Sequence, residues 1–108
     1  MQLSSSSICG TEIRNHSGDD LGKVEDLMVN TMTGEVDYAV VSFGGFLGMG
    51  DKLFAVPLQA FKVDADDENL VLSESKERLE NAPGFDKDEW PRQPDPKWNQ
   101  SVRAYYNL

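Results

Sequence analysis

The run Val36-Asp-Tyr-Ala-Val-Val-Ser-Phe43 constrains the fold of this chain more than any other stretch. Its near-continuous apolar, β-branched and aromatic character is that of a central strand covered on both faces. Residues 8–73 share its texture. Short β-branched and aromatic clusters alternate there with Gly, Asp and Asn, at the spacing of short strands in a barrel or sandwich. Ile8 to Asn15 predicts a first strand, ended by the polar turn His16-Ser-Gly-Asp-Asp20. Leu21 to Asn30 predicts a second, with Leu27 and Val29 on one face and Gly22 placed for a bend or bulge. Thr31-Met-Thr-Gly34 reads as a tight turn. Leu53 to Val56 is short, and Pro57 keeps its far end off a central ladder. Phe61 to Val63 and Leu70 to Leu72 flank Asp64-Ala-Asp-Asp-Glu-Asn69 as a hairpin with an acidic tip. The expected core is Ile13, Leu27, Val29, Tyr38, Val40, Val41, Phe54, Val56, Phe61 and Leu72.

On either side of this β-rich part the texture changes. Residues 1–7 form a Ser-rich leader with no reason to be ordered. Residues 74–108 carry most of the prolines and both tryptophans, and read as an appendage. Ser73 or Ser75 is placed to cap a helix through Glu77, Arg78, Leu79 and Glu80, stopped by Pro83-Gly84. Trp98 to Tyr106 predicts a second short helix after Pro96. With 108 residues the chain is one domain's worth.

Acidic residues outnumber basic ones 19 to 10, a net charge of −9. Residues 64–95 hold most of that excess. Such a balance argues against sequence-independent binding to nucleic acid, whose affinity rests on Lys and Arg against phosphate. It argues equally against docking on an anionic membrane surface. No apolar run approaches the roughly 20 residues of a spanning helix. The start Met1-Gln-Leu-Ser has neither the basic nor the apolar region of a signal peptide. One cysteine allows neither an internal disulfide nor a cysteine-cluster metal site. The expected setting is the cytoplasm.

Four features invite a chemical reading, and each lacks a necessary part. Gly44-Gly-Phe-Leu-Gly-Met-Gly50 has glycines at phosphate-loop separation, but Asp51 stands where a lysine is required, and a strand follows instead of a helix. The tip Asp64–Asn69 resembles the start of a calcium loop. Asn69 sits where the turn needs glycine, however, and Ser75 where the bidentate glutamate belongs. His16, the single histidine, has Asp19 and Asp20 near it in sequence but no evident nucleophile. Cys9 reads as a small buried apolar residue. The sequence thus offers no catalytic constellation, and no cofactor or metal is expected.

Two groups of apolar residues stand out instead. Phe46, Leu47 and Met49 lie on a loop that should be polar, and are either a lid folded on the core or an exposed contact patch. Trp90, Trp98, Tyr105 and Tyr106 are too many large rings for a solvated, proline-broken tail. They pack either on the domain's own surface or on another chain.

An ordered series of motifs resembles the PRC-barrel family. It begins with Gly18 and Leu21-Gly-Lys-Val-Glu-Asp-Leu27, continues through Thr33-Gly-Glu-Val-Asp-Tyr-Ala-Val-Val41 and Gly44-Gly-Phe-Leu-Gly48, and ends with Lys52-Leu-Phe-Ala-Val-Pro57. Asn81-Ala-Pro83 and Trp98 through Tyr106 resemble the C-terminal extensions of small stand-alone bacterial members. The resemblance implies an all-β fold: a small, strongly bent antiparallel barrel over 8–73, followed by an extension with one or two short helices. It also implies a docking surface rather than an enzyme, although shared fold does not fix function. The expectation is a non-catalytic protein-interaction module, a homodimer, with an unidentified protein partner that the acidic face favours being basic. Its contact surface would combine Phe46, Leu47 and Met49 with Trp90, Trp98, Tyr105 and Tyr106. The alternative is a domain that binds a small molecule or divalent ion at the barrel mouth or acidic tip.

Overall fold

The computed structural model describes residues 2–43, 52–64, 69–93 and 95–108. In chain order the elements are helix α1 (Ser5–Ile8), strands β1 (Glu12–Arg14), β2 (Asp20–Asn30), β3 (Glu35–Ser42) and β4 (Lys52–Val56), and a 3-10 turn at Leu58–Ala60. They continue with β5 (Phe61–Asp64), β6 (Asn69–Leu72), helix α2 (Lys76–Glu80), β7 (Gly84–Asp86) and helix α3 (Pro96–Tyr105). All seven strands join one sheet in the order β5-β6-β1-β2-β3-β4-β7.

The fold is mostly β, as expected, with one correction to the antiparallel arrangement. β1 and β6 run parallel, with Ile13 opposite Leu70 and Arg14 opposite Val71. Among the described residues β5 and β7 are the edges of the sheet, and no ladder joins them. Side chains from the C-terminal extension complete the enclosure. Leu79 of α2, Val102 of α3 and Tyr106 belong to the same buried cluster as Ile13, Leu21, Val24, Phe54 and Leu72.

β3 lies inside the sheet between β2 and β4, and Tyr38, Ala39, Val40 and Val41 are all buried. Four consecutive buried residues need cover on both faces, which the apolar run had indicated. The ladder between β2 and β3 departs from regular pairing twice. Val24 faces Val41 and Asp26 faces Val40, so Glu25 is an extra residue on β2. Met28 faces Tyr38 and Val29 faces Val36, so Asp37 is an extra residue on β3. Each such bulge resets which side chains face inward. Leu21, beside a further register shift between β1 and β2, and Val24, just before the Glu25 bulge, are fully buried. Leu27 is only half-buried, and Val29, expected in the core, is 53% exposed near the hairpin end of β2. Phe61 packs against the core half-buried, while the other seven expected residues are buried.

Gly22 permits the close crossing of β2 and β3. Its φ is +96°, and a Cβ there would stand 2.0 Å from the Ser42 carbonyl oxygen. Gly84 does the same for β7, where a Cβ would stand 2.2 Å from the Leu53 carbonyl oxygen. Pro83-Gly84 was expected only to stop a helix. It also starts a strand, because a residue without a side chain lets the returning chain lie flat against β4.

The predicted strand from Ile8 shrinks to β1. Ser4 caps α1 by accepting from the Ser7 N–H, so Ser5–Ile8 is one helical turn that overlaps the Ser-rich leader, and Cys9 follows it as the C-cap rather than lying in a strand. α2 forms where expected, with the Ser75 side chain accepting from the Arg78 N–H at 3.1 Å. α3 starts two residues before the predicted Trp98. Asp95 accepts from the Trp98 N–H at 3.1 Å, and Pro96 occupies the first turn, where a missing N–H costs nothing.

Candidate functional site

The tail rings fall into two clusters at opposite ends of α3. At its start, Trp98 meets Tyr38 edge-on at 5.4 Å between centroids and lies 6.5 Å from Phe85, which in turn lies 5.2 Å from Trp90. Trp90 and Trp98 are half-buried and pack against the core. At the end of the helix, Tyr105 and Tyr106 meet edge-on at 5.3 Å. The Arg78 guanidinium lies 3.9 Å from the Tyr105 ring centroid, donates to the Tyr105 carbonyl, and is held by Glu74 at 3.2 Å. The Tyr105 hydroxyl donates back to the Arg78 carbonyl. Tyr106 is only 7% exposed, the ring with least surface to offer a partner, and its buried hydroxyl has no hydrogen-bond partner among the described residues. Burial, then the neighbouring Tyr105, pushes its ionisation well above that of an ordinary phenol.

The first cluster borders a groove of about 400 Å³ between the end of the β2–β3 hairpin and the segment 91–99. Met28, Val29, Met32, Tyr38 and Trp98 line it with apolar and aromatic surface. Met32 is 89% exposed, the most exposed large apolar side chain described. Tyr38 is buried, and that burial, together with Asp37, pushes its hydroxyl to a pKa of about 12, so the ring stays neutral at physiological pH. Asp37, Asp95 and Arg92 are the charged groups in the lining. Asp37 reaches the groove because it is the bulged residue of β3.

The remaining candidates stay apart from this groove. His16 Nε2 lies 2.9 Å from Ser73 Oγ, a contact between an exposed turn and the end of β6. Cys9 is half-buried, and burial, with Asp26 and Glu25, raises its thiol pKa and so disfavours the reactive thiolate. Asp64 and Asn69 face each other across β5 and β6, while residues 65–68 of the acidic tip lie outside the described residues. No group of three metal-ligating side chains occurs among the described residues. Phe46, Leu47 and Met49, with the rest of the glycine-rich loop, also lie outside the described residues. No described helix is long and apolar enough to cross a membrane.

A family model for the PRC-barrel domain matches residues 1–79 of the 108. The chain belongs to the PRC-barrel domain family. No curated protein matches it. The PRC-barrel match ends at Leu79 in α2, so it covers β2 and β3 but not segment 91–99. The groove is therefore composite, with one wall from the PRC-barrel part and one from the extension. Sequence reasoning singled out Trp98 but missed Met28, Val29, Met32 and Asp37. A usable signal was present: Met32 sits in a predicted turn, and an apolar side chain in a turn was the same anomaly that drew attention to Phe46.

Proposed function

We propose that this PRC-barrel chain is a non-catalytic protein-interaction module of the cytoplasm. The observation that carries the reading is the groove, in which Val29 and Met32 stay 53% and 89% exposed beside the core-anchored rings of Tyr38 and Trp98. Rigid aromatic walls with exposed aliphatic anchors and a polar rim are the anatomy of an energetically dominant contact patch. A net charge of −9 favours protein over nucleic acid as the partner. Phe46, Leu47 and Met49 extend the same reading as a second contact element.

A homodimer belongs to the proposal, through the edge strand β5. Two copies paired antiparallel about Val63, which is 49% exposed, would set Lys62 of each opposite Asp64 of the other. Opposite charges directly across a ladder favour that register. The groove's volume also suits a small molecule, which is the competing reading.

Capture of a partner by the immobilised chain tests the module, with Val29→Asp/Met32→Asp and Phe46→Asp/Leu47→Asp as matched controls. A partner retained by the wild type and lost from the first variant supports the groove. Loss from the second alone moves the contact to the loop. Identical recovery from all three chains rejects the interaction reading and raises the small-molecule one.

A further inference from the structure

We infer that the groove takes a segment of a partner protein in which a lysine or arginine stands among apolar side chains. The inference rests on the interaction reading above and adds the chemistry of the partner. The Asp37 carboxylate has no hydrogen-bond or ion-pair partner among the described residues, and the residue is only half-exposed. Asp95 accepts from the Trp98 N–H through one oxygen, and no described residue is bonded to the other. Glu35 faces Asn30, itself part of the lining, across the hairpin ladder. Against these carboxylates the groove sets one cation, Arg92. An incoming ammonium or guanidinium therefore meets unpaired carboxylates beside the Tyr38 and Trp98 rings, and both surroundings attract a cation.

The apolar half of the site selects a peptide over a free cation. A small polyamine would satisfy Asp37 and Asp95 but leave Val29 and Met32 in water. Aliphatic or aromatic side chains flanking the basic one would cover both. Met28 and Met32 are the only methionines among the described residues, and both line this site. Unbranched thioethers adjust to ligand side chains of differing shape. A second copy paired through β5, as in the homodimer reading, uses none of the residues that line the groove.

Selection of random 12-residue peptides displayed on phage against the full chain tests this, followed by fluorescence polarisation of the enriched sequences. The expected pool is rich in Lys and Arg next to Leu, Ile, Phe or Trp. Val29→Ser/Met32→Ser should weaken an enriched peptide by ~10-fold or more through lost apolar contact. Asp37→Asn should weaken it by ~3-fold at low salt, with the difference vanishing near ~0.5 M salt. Arg92→Ala should tighten it. An acidic pool, or an apolar one without charge bias, overturns the partner chemistry and leaves the interaction module standing. Peptides indifferent to Val29→Ser/Met32→Ser overturn the groove as their site. A selection that enriches nothing overturns the inference, while the capture experiment still reports separately on the module.

Discussion

The two ends of α3 are built from similar side chains and behave differently. At the C-terminal end Tyr105 and Tyr106 are locked: one ring is covered by Arg78 and tied to it through reciprocal hydrogen bonds, and the other is buried in the core. At the N-terminal end Trp98 and Trp90 pack half-buried against Tyr38 and Phe85, and the neighbouring Met32 and Val29 are left in water. Aromatic content alone therefore does not separate an anchor from a contact surface. The separation comes from what surrounds each pair: Arg78 and the core at one end, the exposed Met32 and Val29 at the other. The Tyr105–Tyr106 end fastens the extension, and the Trp98 end shapes a groove on the fastened structure.

The comparison breaks most strongly at Tyr106. Tyr106→Ala should lower stability by about 3–5 kcal/mol, as for other large buried rings, and release the end of α3. Urea unfolding followed by far-UV circular dichroism would measure it, and a loss below ~1 kcal/mol would show that the tail is not fastened there. Trp98→Ala should cost less, about 2–3 kcal/mol, because only part of the ring is buried, while still removing a wall of the groove. If Trp98→Ala destabilises more than Tyr106→Ala, the two ends have been assigned the wrong way round.

Tyr106→Phe sharpens the same contrast. The hydroxyl is buried without a partner among the described residues, so its removal should leave stability unchanged or raise it by up to ~1 kcal/mol. The variant should also resist alkali better. The folded protein holds the Tyr106 phenol protonated above its ordinary value of 10.0, so stability is full below that pH and falls as the pH rises past it. Without the phenol that share of the fall disappears, leaving the part due to Tyr38, whose range runs from 10.0 to about 12. A clear loss of stability in Tyr106→Phe at neutral pH would point to an unrecognised partner for the hydroxyl.

Much of the fold was legible because local rules decided it. The apolar run of β3, the Ser75 cap and the hairpin of β5 and β6 all follow from nearest neighbours along the chain. What was missed depends on partners distant in sequence. The bulges at Glu25 and Asp37 and the register shift between β1 and β2 exist only relative to the strands they face, and which residues of β2 end up buried, Leu21 and Val24 but not Val29, depends on that long-range pairing. β7 was unreadable for the same reason, since three residues beginning with glycine become a strand only when β4 offers an edge. The candidate site shows the same division. Trp98 could be picked out by type, whereas Asp37 and Met32 acquire meaning only once the hairpin end meets segment 91–99.

The smallest expected effect on stability is the most informative for function. Met32 is 89% exposed and lies in the turn between β2 and β3, so Met32→Ser removes almost no buried surface. Its unfolding midpoint should match the wild type, within the ~0.5 kcal/mol usual for surface changes. Any role for Met32 must then appear in binding, where the same substitution exposes a polar group to the apolar side chain it should have covered. A chain that unfolds like the wild type yet captures less partner would place this residue in the contact surface. A chain that unfolds earlier would mean that Met32 supports the hairpin, and the division between the two ends of α3 would lose its functional side.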